Sequence, residues 1–355
     1  MPTPRILVSI VTHNSERYID SCLEGLKRQR FQDLEIAVVD NASADETLAI
    51  IMGLRENFKS LHLFPLRFNI GFCGGNNLAI NLFKSEYVLV LNPDVFLTST
   101  FLSEALRGFE WNDQVGMVSG KLLRIPQEVF CDRLPQFVDK ALDKVHLTTI
   151  DSTGLYFTHT QRHFDRGSNE TDHGQYNIPG YVFGPTGAAA LYKRTMIDSI
   201  KIEGELFDEL FFAYREDADL AWRAQIMGWK CAYVPSAVAY HVRRVLPERR
   251  GALPPEINMH SVKNRFMMRL KNMEIRTYLS FIFPITLRDI QIIMFIFLFE
   301  QTSLKATWLV LKNIRRSLRH RNLIKAKKKT STSTIERWFG RKGRFIPISS
   351  VEKNT

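Results

Sequence analysis

Cysteine is scarce in this 355-residue sequence, and its spacing gives no sign of disulfide or metal chemistry. Cys22, Cys73, Cys131 and Cys231 lie far apart and form no Cys-x-x-Cys pair. A zinc site usually needs such a pair, and a disulfide framework needs more cysteines in a shorter chain. The sequence therefore predicts reduced thiols, which are typical of a cytosolic protein.

Two familiar phosphate-binding patterns are also missing. The glycine-rich segment at 67–77, RFNIGFCGGNN, has its glycines at 71, 74 and 75, which does not fit G-x-G-x-x-G, and no G-x-x-x-x-G-K-[ST] lies near it. A dinucleotide-dependent dehydrogenase is therefore disfavoured. A glycine-rich turn before a helix can still let backbone N–H groups approach phosphate. Glycines that allow close packing are the alternative.

No long apolar run is present. The start of the chain, MPTPRILVSIVTHNS, becomes polar too soon for a signal peptide and is expected to be a first strand. Residues 281–299 are apolar but are interrupted by Pro284 and by Arg288 and Asp289, which leaves ten uncharged residues at 290–299. A membrane span needs about 20. We therefore expect helices that lie in the membrane interface; a span and a buried helix are the alternatives.

Acidic residues are absent between positions 301 and 330, where ten basic residues occur. This segment accounts for most of the net charge of +11. Such a charge suits an anionic membrane surface, and a disordered, solubilising tail is the alternative. Nucleic acid is not expected as a partner, because the segment lacks interleaved aromatic residues and a recognised nucleic-acid-binding fold.

Buried strands and amphipathic helices alternate through the first hundred residues. The apolar runs predict strands near 6–11, 35–41, 61–65 and 87–91, and further strands after Gly187 and around 231–235. This order is typical of an α/β fold with a mostly parallel sheet and flanking helices. Residues 120–181 show little periodicity, and their elements cannot be assigned.

Polar residues follow several predicted strands directly: Asn14, Asp40, Asn41 and Asp94. The carboxyl ends of parallel strands meet at one edge of a sheet, where ligands bind. These residues therefore predict a nucleotide pocket, although Asn and Asp are also common in turns. Asn92-Pro93-Asp94 holds one carboxylate at this edge, which suits a divalent ion that also binds a diphosphate.

Three acids, Glu216, Asp217 and Asp219, crowd the start of a predicted helix that ends at Gly228. The helix dipole favours acids there by about 0.3–1 kcal/mol each. Helix-end electrostatics therefore nearly explains these acids, although the three charges also repel one another. A carboxylate in this position could instead act as a general base towards a sugar hydroxyl.

Seven segments together resemble a known family. In chain order they are VSIVTHNS, VVDNAS, NIGFCGGNN, LNPD, GAAALYKR, FDELFFAYREDADLAWRAQIMGWKCAYVP and YHVRR. They are similar to inverting family 2 glycosyltransferases of the GT-A type, and most of all to bacterial rhamnosyltransferases. The resemblance covers about residues 5–245. It implies a glycosyltransferase domain at 1–248, with a nucleotide-binding half at 1–98 and an acceptor half at 110–248. A helical, membrane-associating region with a disordered basic tail would follow at 249–355.

The resemblance assigns roles to the residues around the nucleotide-sugar. Asp40 matches the acid that contacts the nucleotide base. Asp94 matches the last acid of the D-x-D element, which binds Mg²⁺ or Mn²⁺ and the diphosphate; Asn92 replaces the first acid, which weakens the expectation of tight metal binding. The other positions expected to line the nucleotide-sugar site are Thr12, Asn14, Asn41, Asn69, Gly71 and Asn76.

Further roles concern the reaction and the acceptor. Asp217 matches the family's general base, and Glu216 is its partner in the motif, whereas Asp219 is left as a helix-start charge. His241 resembles a histidine that helps to hold the metal or the diphosphate, with an unliganded histidine as the alternative. The residues expected on the acceptor or diphosphate side are Asp151, Gly187, Arg243 and Trp222. For Trp222, core packing is the alternative.

The resemblance implies transfer of a sugar with inversion, with dTDP-L-rhamnose as the expected donor. The expected acceptor is a lipid-linked or growing surface glycan at the cytoplasmic face of the cell membrane. A UDP-hexose or UDP-GlcNAc donor is one alternative. A non-catalytic, membrane-bound sugar-binding module is another. The acceptor, the linkage, the oligomeric state and the need for the metal do not follow from the sequence.

Overall fold

A computed structural model describes residues 6–127, 130, 148–243, 255–341 and 343–348. Cys131, the expected domain boundary at 248/249 and Arg244, the last residue of the YHVRR segment, lie outside these residues. In the amino-terminal half, strands and helices alternate as predicted. They are β1 (Ile6–Thr12), α1 (Ile19–Lys27), β2 (Leu34–Asp40), α2 (Thr47–Leu54), β3 (Leu61–Pro65), α3 (Gly71–Leu82), β4 (Tyr87–Leu91), β5 (Val95–Leu97) and α4 (Phe101–Arg107).

The second half of the sheet region contains shorter elements, including the segment that the sequence could not assign. These are β6 (Val115–Arg124), β7 (Ile150–Ser152), β8 (Leu155–Phe157), β9 (His163–Asp165), β10 (Gly180–Val182), β11 (Ala189–Lys193), α5 (Arg194–Ile200), α6 (Glu216–Ile226) and β12 (Lys230–His241). Gly228 follows α6 with a φ of +88°, as expected for a glycine that ends a helix.

The central sheet is mixed, which corrects the expectation of a mostly parallel one. Among the described strands its order is β13-β10-β12-β6-β11-β4-β1-β2-β3, where β13 is Ile346–Pro347, and β5 and β7 pair with β12 and β6. Strands β4, β1, β2 and β3 are parallel, but β11 is antiparallel to both β4 and β6. The apolar run predicts that β11 is a strand but not its direction, because a strand buried on both faces has the same residue pattern whether it is parallel or antiparallel to its neighbours.

Six helices complete the described chain: α7 (Pro255–Asn272), α8 (Ile275–Ser280), α9 (Ile282–Phe299), α10 (Leu304–Lys312), α11 (Ile314–Ala326) and α12 (Thr332–Glu336). The basic segment expected to be disordered is therefore helical. Arg316 and Arg319 of α11 pair with Glu205 and Glu203, and Ile324 is buried. These contacts explain its order, since they satisfy part of its charge and bury an apolar side chain.

The topology sets two distinct edges. Strands β1, β2, β4, β6 and β12 run in one direction, so their carboxyl ends share an edge with the start of antiparallel β11. The amino-terminal ends of the same strands form the opposite edge. The predicted site residues follow the first edge, as expected for an open α/β sheet.

Candidate active site

Asp40 ends β2 and is fully buried. One carboxylate oxygen, Oδ1, accepts hydrogen bonds from the hydroxyls of Thr12 at 2.7 Å and Ser43 at 2.5 Å, and Oδ2 accepts the Ser43 N–H at 2.9 Å. These contacts fix the loop that leaves the strand. The carboxylate therefore fixes the loop after β2, and its direct contact with a nucleotide base stays a prediction.

The glycine-rich turn is held against the loop before α6. The Asn41 side chain accepts the Ile70 N–H and donates to the Gly71 carbonyl at 3.0 Å. Gly71 has a φ of +79°, and a Cβ there would lie 2.6 Å from Phe212. The Cys73 N–H donates to the Phe212 carbonyl at 3.0 Å. Close packing therefore explains Gly71, and this first helical turn already uses N–H groups that a phosphate would need.

The other predicted nucleotide-side residues fall in different places. Asn14 has a φ of +50° and accepts the Ala44 N–H at the rim. Asn69 is exposed and accepts the Gly71 N–H. Asn76, by contrast, is fully buried and accepts the Ser9 hydroxyl of β1 at 2.7 Å. Asn76 therefore ties α3 to the sheet and does not line a pocket, which corrects its assignment.

Asn92 and Asp94 are positioned by the sheet on both sides. The Asn92 N–H donates to the Ala188 carbonyl at 2.9 Å, and the Asp94 carbonyl accepts the Val242 N–H at 3.1 Å. Strand β5 pairs with the end of β12, which sets Val95 opposite His241. This pairing brings the Asp94 carboxylate Oδ1 to 3.5 Å from His241 Nε2.

His241 belongs to a chain of charged side chains. Its Nδ1 lies 2.7 Å from Asp151 Oδ2. Asp151 also accepts hydrogen bonds from Arg124 and Arg243, and Arg243 bridges to Asp165 at 2.7 Å. Burial opposes charge on both partners, yet Asp151 and Asp94 raise the pKa of His241 to about 10. His241 and Arg243 in turn hold the pKa of Asp151 well below its usual range.

Asp94 and His241 fit a divalent cation that also binds a ligand's phosphates and that replaces the Nε2 proton of His241, because a histidine binds metal through a deprotonated nitrogen. The contact of His241 Nδ1 with Asp151 leaves Nε2 directed towards Asp94, which is the arrangement that orients metal-binding histidines. Within the described ranges no group of three or more His, Cys, Asp or Glu side chains is placed to hold a metal. Mg²⁺ sites of this kind need only one or two protein carboxylates, because phosphate oxygens and water supply the other ligands.

Asp217 lies at the start of α6 and faces the first residues of the β11 segment. Its Oδ2 accepts the Gly187 N–H at 3.0 Å, and its Oδ1 accepts the Ala218 N–H at 2.7 Å. Burial and the nearby charge of Asp165 raise the pKa of Asp217 to about 6. The side chain is partly exposed. Asp217 is therefore a fixed carboxylate that is ionised near neutral pH and reachable from solvent.

Glu216 is buried next to Asp217, and its Oε2 lacks a hydrogen-bond partner in the described part of the chain. Burial and the charge of Asp217 raise the pKa of Glu216 to about 8. A Cβ on Gly187 would lie 3.5 Å from Glu216 Oε1. Burial and mutual repulsion therefore disfavour two negative charges on the pair, and the pKa of Glu216 is raised further than that of Asp217.

The loop that leads into α6 is held by a residue that the sequence reasoning missed. Phe212, Tyr214 and Arg215 all have positive φ values, between 64° and 70°. Asn264 of α7 is fully buried, and its Nδ2 donates to the carbonyls of Phe211, Ala213 and Tyr214 at 2.7–2.9 Å. These bonds stabilise a strained backbone beside Asp217. Asn264 lies outside every motif, so the sequence offered no signal for it.

Asp219 is not a simple helix-start charge, which corrects its assignment. Its carboxylate is buried and accepts hydrogen bonds from Lys271 at 3.0 Å and Asn272 at 2.7 Å, both on α7. Lys271 also pairs with Asp208 at 2.6 Å. The third acid therefore fixes the C-terminal helices to the core below the site.

Trp222 lies in the core, as the alternative interpretation held. It is almost fully buried and packs edge-on against Phe157 and Phe339, with ring centroids 5.1 and 5.3 Å apart. Its indole cannot reach a sugar from there. The assignment of Trp222 to the acceptor side is therefore wrong.

Comparison with known families gives the site its context. The model of glycosyl transferase family 2 matches residues 7–200, more than half of the chain. The chain belongs to glycosyl transferase family 2. The match confirms the family expected from the sequence motifs. The closer likeness of this glycosyltransferase to rhamnosyltransferases stays a prediction.

Several curated proteins resemble this glycosyltransferase. It is 28% identical over 144 residues to the teichoic acid poly(glycerol phosphate) polymerase of Staphylococcus epidermidis, covering 40% of this chain and 19% of that one. It is 24% identical over 248 residues to the putative glycosyltransferase EpsH of Bacillus subtilis, covering 68% and 62%. It is 30% identical over 158 residues to the poly(ribitol-phosphate) beta-N-acetylglucosaminyltransferase TarS of Staphylococcus aureus, covering 42% and 27%. The chain thus spans less than two thirds of each relative.

Solved structures share the fold of this glycosyltransferase. Residues 1–349 of S. aureus TarS in complex with UDP-GlcNAc superpose with a TM-score of 0.53 at 18% identity, covering 91% of both chains. The mannosyltransferase PcManGT of Pyrobaculum calidifontis, in complex with GDP-Man and Mn²⁺, gives 0.50 at 16% identity and covers 91% of this chain and 86% of that one. The GT-A fold expected from the sequence is therefore confirmed.

Proposed function

We propose that this glycosyltransferase moves a sugar from a nucleoside-diphosphate donor to a hydroxyl group of a surface glycan, with inversion at the anomeric carbon. Asp217 is the proposed general base. It takes the proton of the acceptor hydroxyl while the acceptor oxygen bonds to the anomeric carbon. The bond from that carbon to the diphosphate oxygen breaks, and the nucleoside diphosphate leaves with the electron pair.

One observation carries this proposal. The Asp217 carboxylate is held by the Gly187 N–H at the edge where Asp94 and His241 also lie. Gly187 precedes β11 and Asn92 follows β4, and these two adjacent strands are bonded there through Ala188. A base and a diphosphate-side carboxylate thus stand on neighbouring segments of one rim, as in-line displacement requires.

The charge of the departing diphosphate is the main electrostatic load on the reaction. We propose that Asp94 and His241 hold Mg²⁺ or Mn²⁺, which when bound neutralises part of that charge. Arg243 adds a fixed guanidinium on the same side, because Asp151 and Asp165 hold it in place. Asp151 therefore acts through His241 and Arg243, and its proposed role is to position them.

The donor is proposed from two lines of support. The residue pattern resembles rhamnosyltransferases and favours dTDP-L-rhamnose. The names of relatives favour a UDP-sugar, since TarS transfers N-acetylglucosamine and a Bacillus spizizenii relative, 30% identical over 154 residues, is a poly(ribitol-phosphate) beta-glucosyltransferase. We retain dTDP-L-rhamnose as the first candidate and a UDP-hexose or UDP-GlcNAc as the second.

The acceptor proposed is a lipid-linked or growing cell-surface polymer, and polymers that contain phosphate are favoured by the relatives' names. The decisive experiment is a panel of dTDP-L-rhamnose, UDP-GlcNAc, UDP-glucose and UDP-galactose offered to the purified full chain. Release of nucleoside diphosphate is measured with Mg²⁺, with Mn²⁺ and with EDTA, and NMR gives the anomeric configuration of the product.

We expect one donor class to be turned over, with a metal-dependent rate and an inverted product. A product with retained configuration would contradict Asp217 as the base. Binding of a donor without any release would favour the non-catalytic sugar-binding module. The presence of Asp94, Asp217 and His241 at one rim supports the enzyme over that module.

We also propose a peripheral position at the cytoplasmic face of the membrane. Helix α9 (Ile282–Phe299) has a mean hydropathy of 1.9 and is, in length and composition, the one described helix that could cross a bilayer, with 11% of it buried. Its exposed face carries large apolar side chains: Phe283, Leu287, Ile290, Met294, Phe297 and Leu298. Contiguous exposed apolar side chains of this kind are typical of an interaction site.

The charges within α9 support a helix that lies along the surface. Asp289 faces the protein and pairs with Arg265 and Arg269 of α7 at 3.3 and 2.6 Å. Ile285 and Ile296 of the same face are buried. One side of α9 is thus fixed to α7 and the other is apolar, which is the arrangement of an interfacial helix.

A further inference from the structure

A cavity of about 560 Å³ lies at the edge of the sheet opposite the active site. Gln114 and Trp229, which line it, directly precede β6 and β12, so they mark the amino-terminal ends of these strands. His241 ends β12 at the other edge, on the order of 30 Å away along the strand. The cavity therefore belongs to a different site from the one described above.

Four cationic side chains line this cavity: Lys230, Lys329, Arg337 and Arg344. Asp113 is the one acid that lines it with them. None of the four cations forms an ion pair with another described residue; Lys230 instead lies 5.6 Å from the ring of Tyr181. Cations elsewhere on the C-terminal helices, such as Arg316 and Arg319, are paired with acids. The cavity thus concentrates positive charge that lacks a partner in the described chain.

The floor is apolar and the rim offers hydroxyl donors. Trp338 and Tyr181 are buried beneath the cavity, and Trp229 is fixed by a bond from its Nε1 to Ser199 at 2.8 Å. Thr330 and Thr334 line the rim. Fixed aromatic side chains with convergent polar groups are typical of a ligand site, and the volume is in the range of such sites.

We propose that this cavity binds a phosphate-bearing stretch of the acceptor polymer, away from the hydroxyl that receives the sugar. Arginine and lysine recognise phosphate, and the apolar floor suits the carbon backbone of a polyol or sugar between phosphates. The proposal rests on the proposed glycan acceptor and adds a second contact with it. Two contacts on one chain raise the effective concentration of its reactive end.

A membrane surface fits the cavity less well. The aromatic side chains below it are buried, whereas the large apolar side chains of α9 project into solvent. A flat bilayer engages side chains of the second kind. A discrete polyanionic chain can enter a concave site and meet cations at its rim.

The test uses the full chain and a short poly(glycerol phosphate) as the probe, without donor. The cavity variant carries Lys329→Ala, Arg337→Ala and Arg344→Ala, all at exposed positions that should not disturb folding. A matched control carries Arg55→Ala, Lys59→Ala and Lys84→Ala, which removes the same charge from other exposed positions. Tryptophan fluorescence and calorimetry measure binding, and neutral dextran and vesicles of phosphatidylglycerol with phosphatidylcholine are offered in parallel.

We expect the cavity variant to bind the probe roughly tenfold more weakly than the native chain, from the loss of three cation–phosphate contacts. The control variant should bind it normally. Equal weakening in both variants would overturn the proposal, since it would show attraction to net charge alone. The proposal would also be overturned if the cavity variant lost binding to vesicles or dextran but still bound the poly(glycerol phosphate) probe as the native chain does.

The same variants separate this inference from the proposed function. If the donor panel shows no transfer but the probe still binds through the cavity, only the proposed function fails. If transfer to a short acceptor is normal and the probe does not bind, only the inference fails. If the proposed function and this inference are both right, the cavity variant should have a higher KM for long polymers and an unchanged KM for short acceptors.

Discussion

Asp217 and Asp219 lie two positions apart in the sequence but have different surroundings in the fold. Side chains two positions apart on a helix point about 200° from each other. Asp217 meets Gly187, 30 residues earlier, and Asp219 meets Lys271, 52 residues later. Sequence reasoning identified the acids but could not divide their roles by itself, because the partners that separate them are distant in the chain.

The residue-scale prediction concerns Asp217. Asp217→Asn keeps an acceptor for the Gly187 N–H but cannot take a proton. We expect turnover to fall by about 10²–10⁴-fold, while nucleotide-sugar binding is retained. In the native enzyme, the raised pKa means that the base is protonated, and activity lost, as the pH falls below about 6. Steady-state kinetics between pH 5 and 8 measure both effects.

The control is the same substitution at an exposed acid, Asp198→Asn, whose side chain is 60% exposed. It should leave the rate and the pH profile unchanged. Near-normal turnover of Asp217→Asn would remove Asp217 as the base. If the residual turnover of Asp217→Asn still fell at low pH as it does in the native enzyme, the group that titrates would be a residue other than Asp217.

At the scale of elements, the sequence predicted six of the thirteen described strands and few of the pairings between them. Continuous apolar runs identified β1, β2, β3 and β4, because a strand buried on both faces has such a pattern. The direction of β11 and the short strands between 150 and 182 did not follow from the sequence. They depend on pairing with distant strands, and three-residue elements have no measurable periodicity.

The glycine-rich turn supports an element-scale prediction. Gly71→Ala would place a Cβ 2.6 Å from Phe212 on a backbone with positive φ. We expect the unfolding free energy to fall by about 1–3 kcal/mol and turnover to fall with it, because Phe212 begins the loop into Asp217. Chemical denaturation and the rate of donor turnover measure the two effects.

Gly53→Ala is the matched control, because Gly53 lies in α2 with no atom within 4 Å of the added Cβ. It should raise the stability slightly, by about 0.5–1 kcal/mol, since alanine is favoured over glycine in a helix. A neutral Gly71→Ala would show that the turn can move away from Phe212, and the packing interpretation of the glycine-rich segment would then be wrong.

At the scale of the whole molecule, the C-terminal helices are part of the catalytic fold. Lys271 binds two buried acids, and strand β13 extends the central sheet through β10. Deleting residues 300–355 would therefore remove the β13–β10 pairing and the ion pairs of Arg316 and Arg319, while leaving α9 in place. Composition indicated apolar and basic character in this region but not its packing, because the acids that pair with its cations lie a hundred residues earlier.

The whole-molecule prediction concerns the membrane face. Phe283 and Phe299 are 85% and 75% exposed, so Phe283→Ser, Phe297→Ser and Phe299→Ser should not affect folding. We expect the variant to bind vesicles of phosphatidylglycerol and phosphatidylcholine at least tenfold more weakly, because a buried phenylalanine contributes about 1.5–3 kcal/mol. Co-sedimentation at constant ionic strength measures the bound fraction.

Met52→Ser, Phe68→Ser and Ile178→Ser form the matched control, since these side chains are also exposed but lie outside the C-terminal helices. They should leave vesicle binding unchanged. An equal bound fraction for the α9 variant and the native chain would exclude α9 as the membrane contact.

The hydrogen bonds from Asn264 to the loop before α6 indicate which part of the chain must be kept together. The family match ends at residue 200, whereas the proposed base is Asp217 and the side chain that holds its loop lies on α7. A fragment that stops at residue 200 lacks Asp217 altogether, and one that stops at His241 keeps Asp217 but loses the Asn264 donor to three loop carbonyls. A portion of this chain exchanged between enzymes should therefore extend at least through Asn272 if it is to keep the loop beside the proposed base.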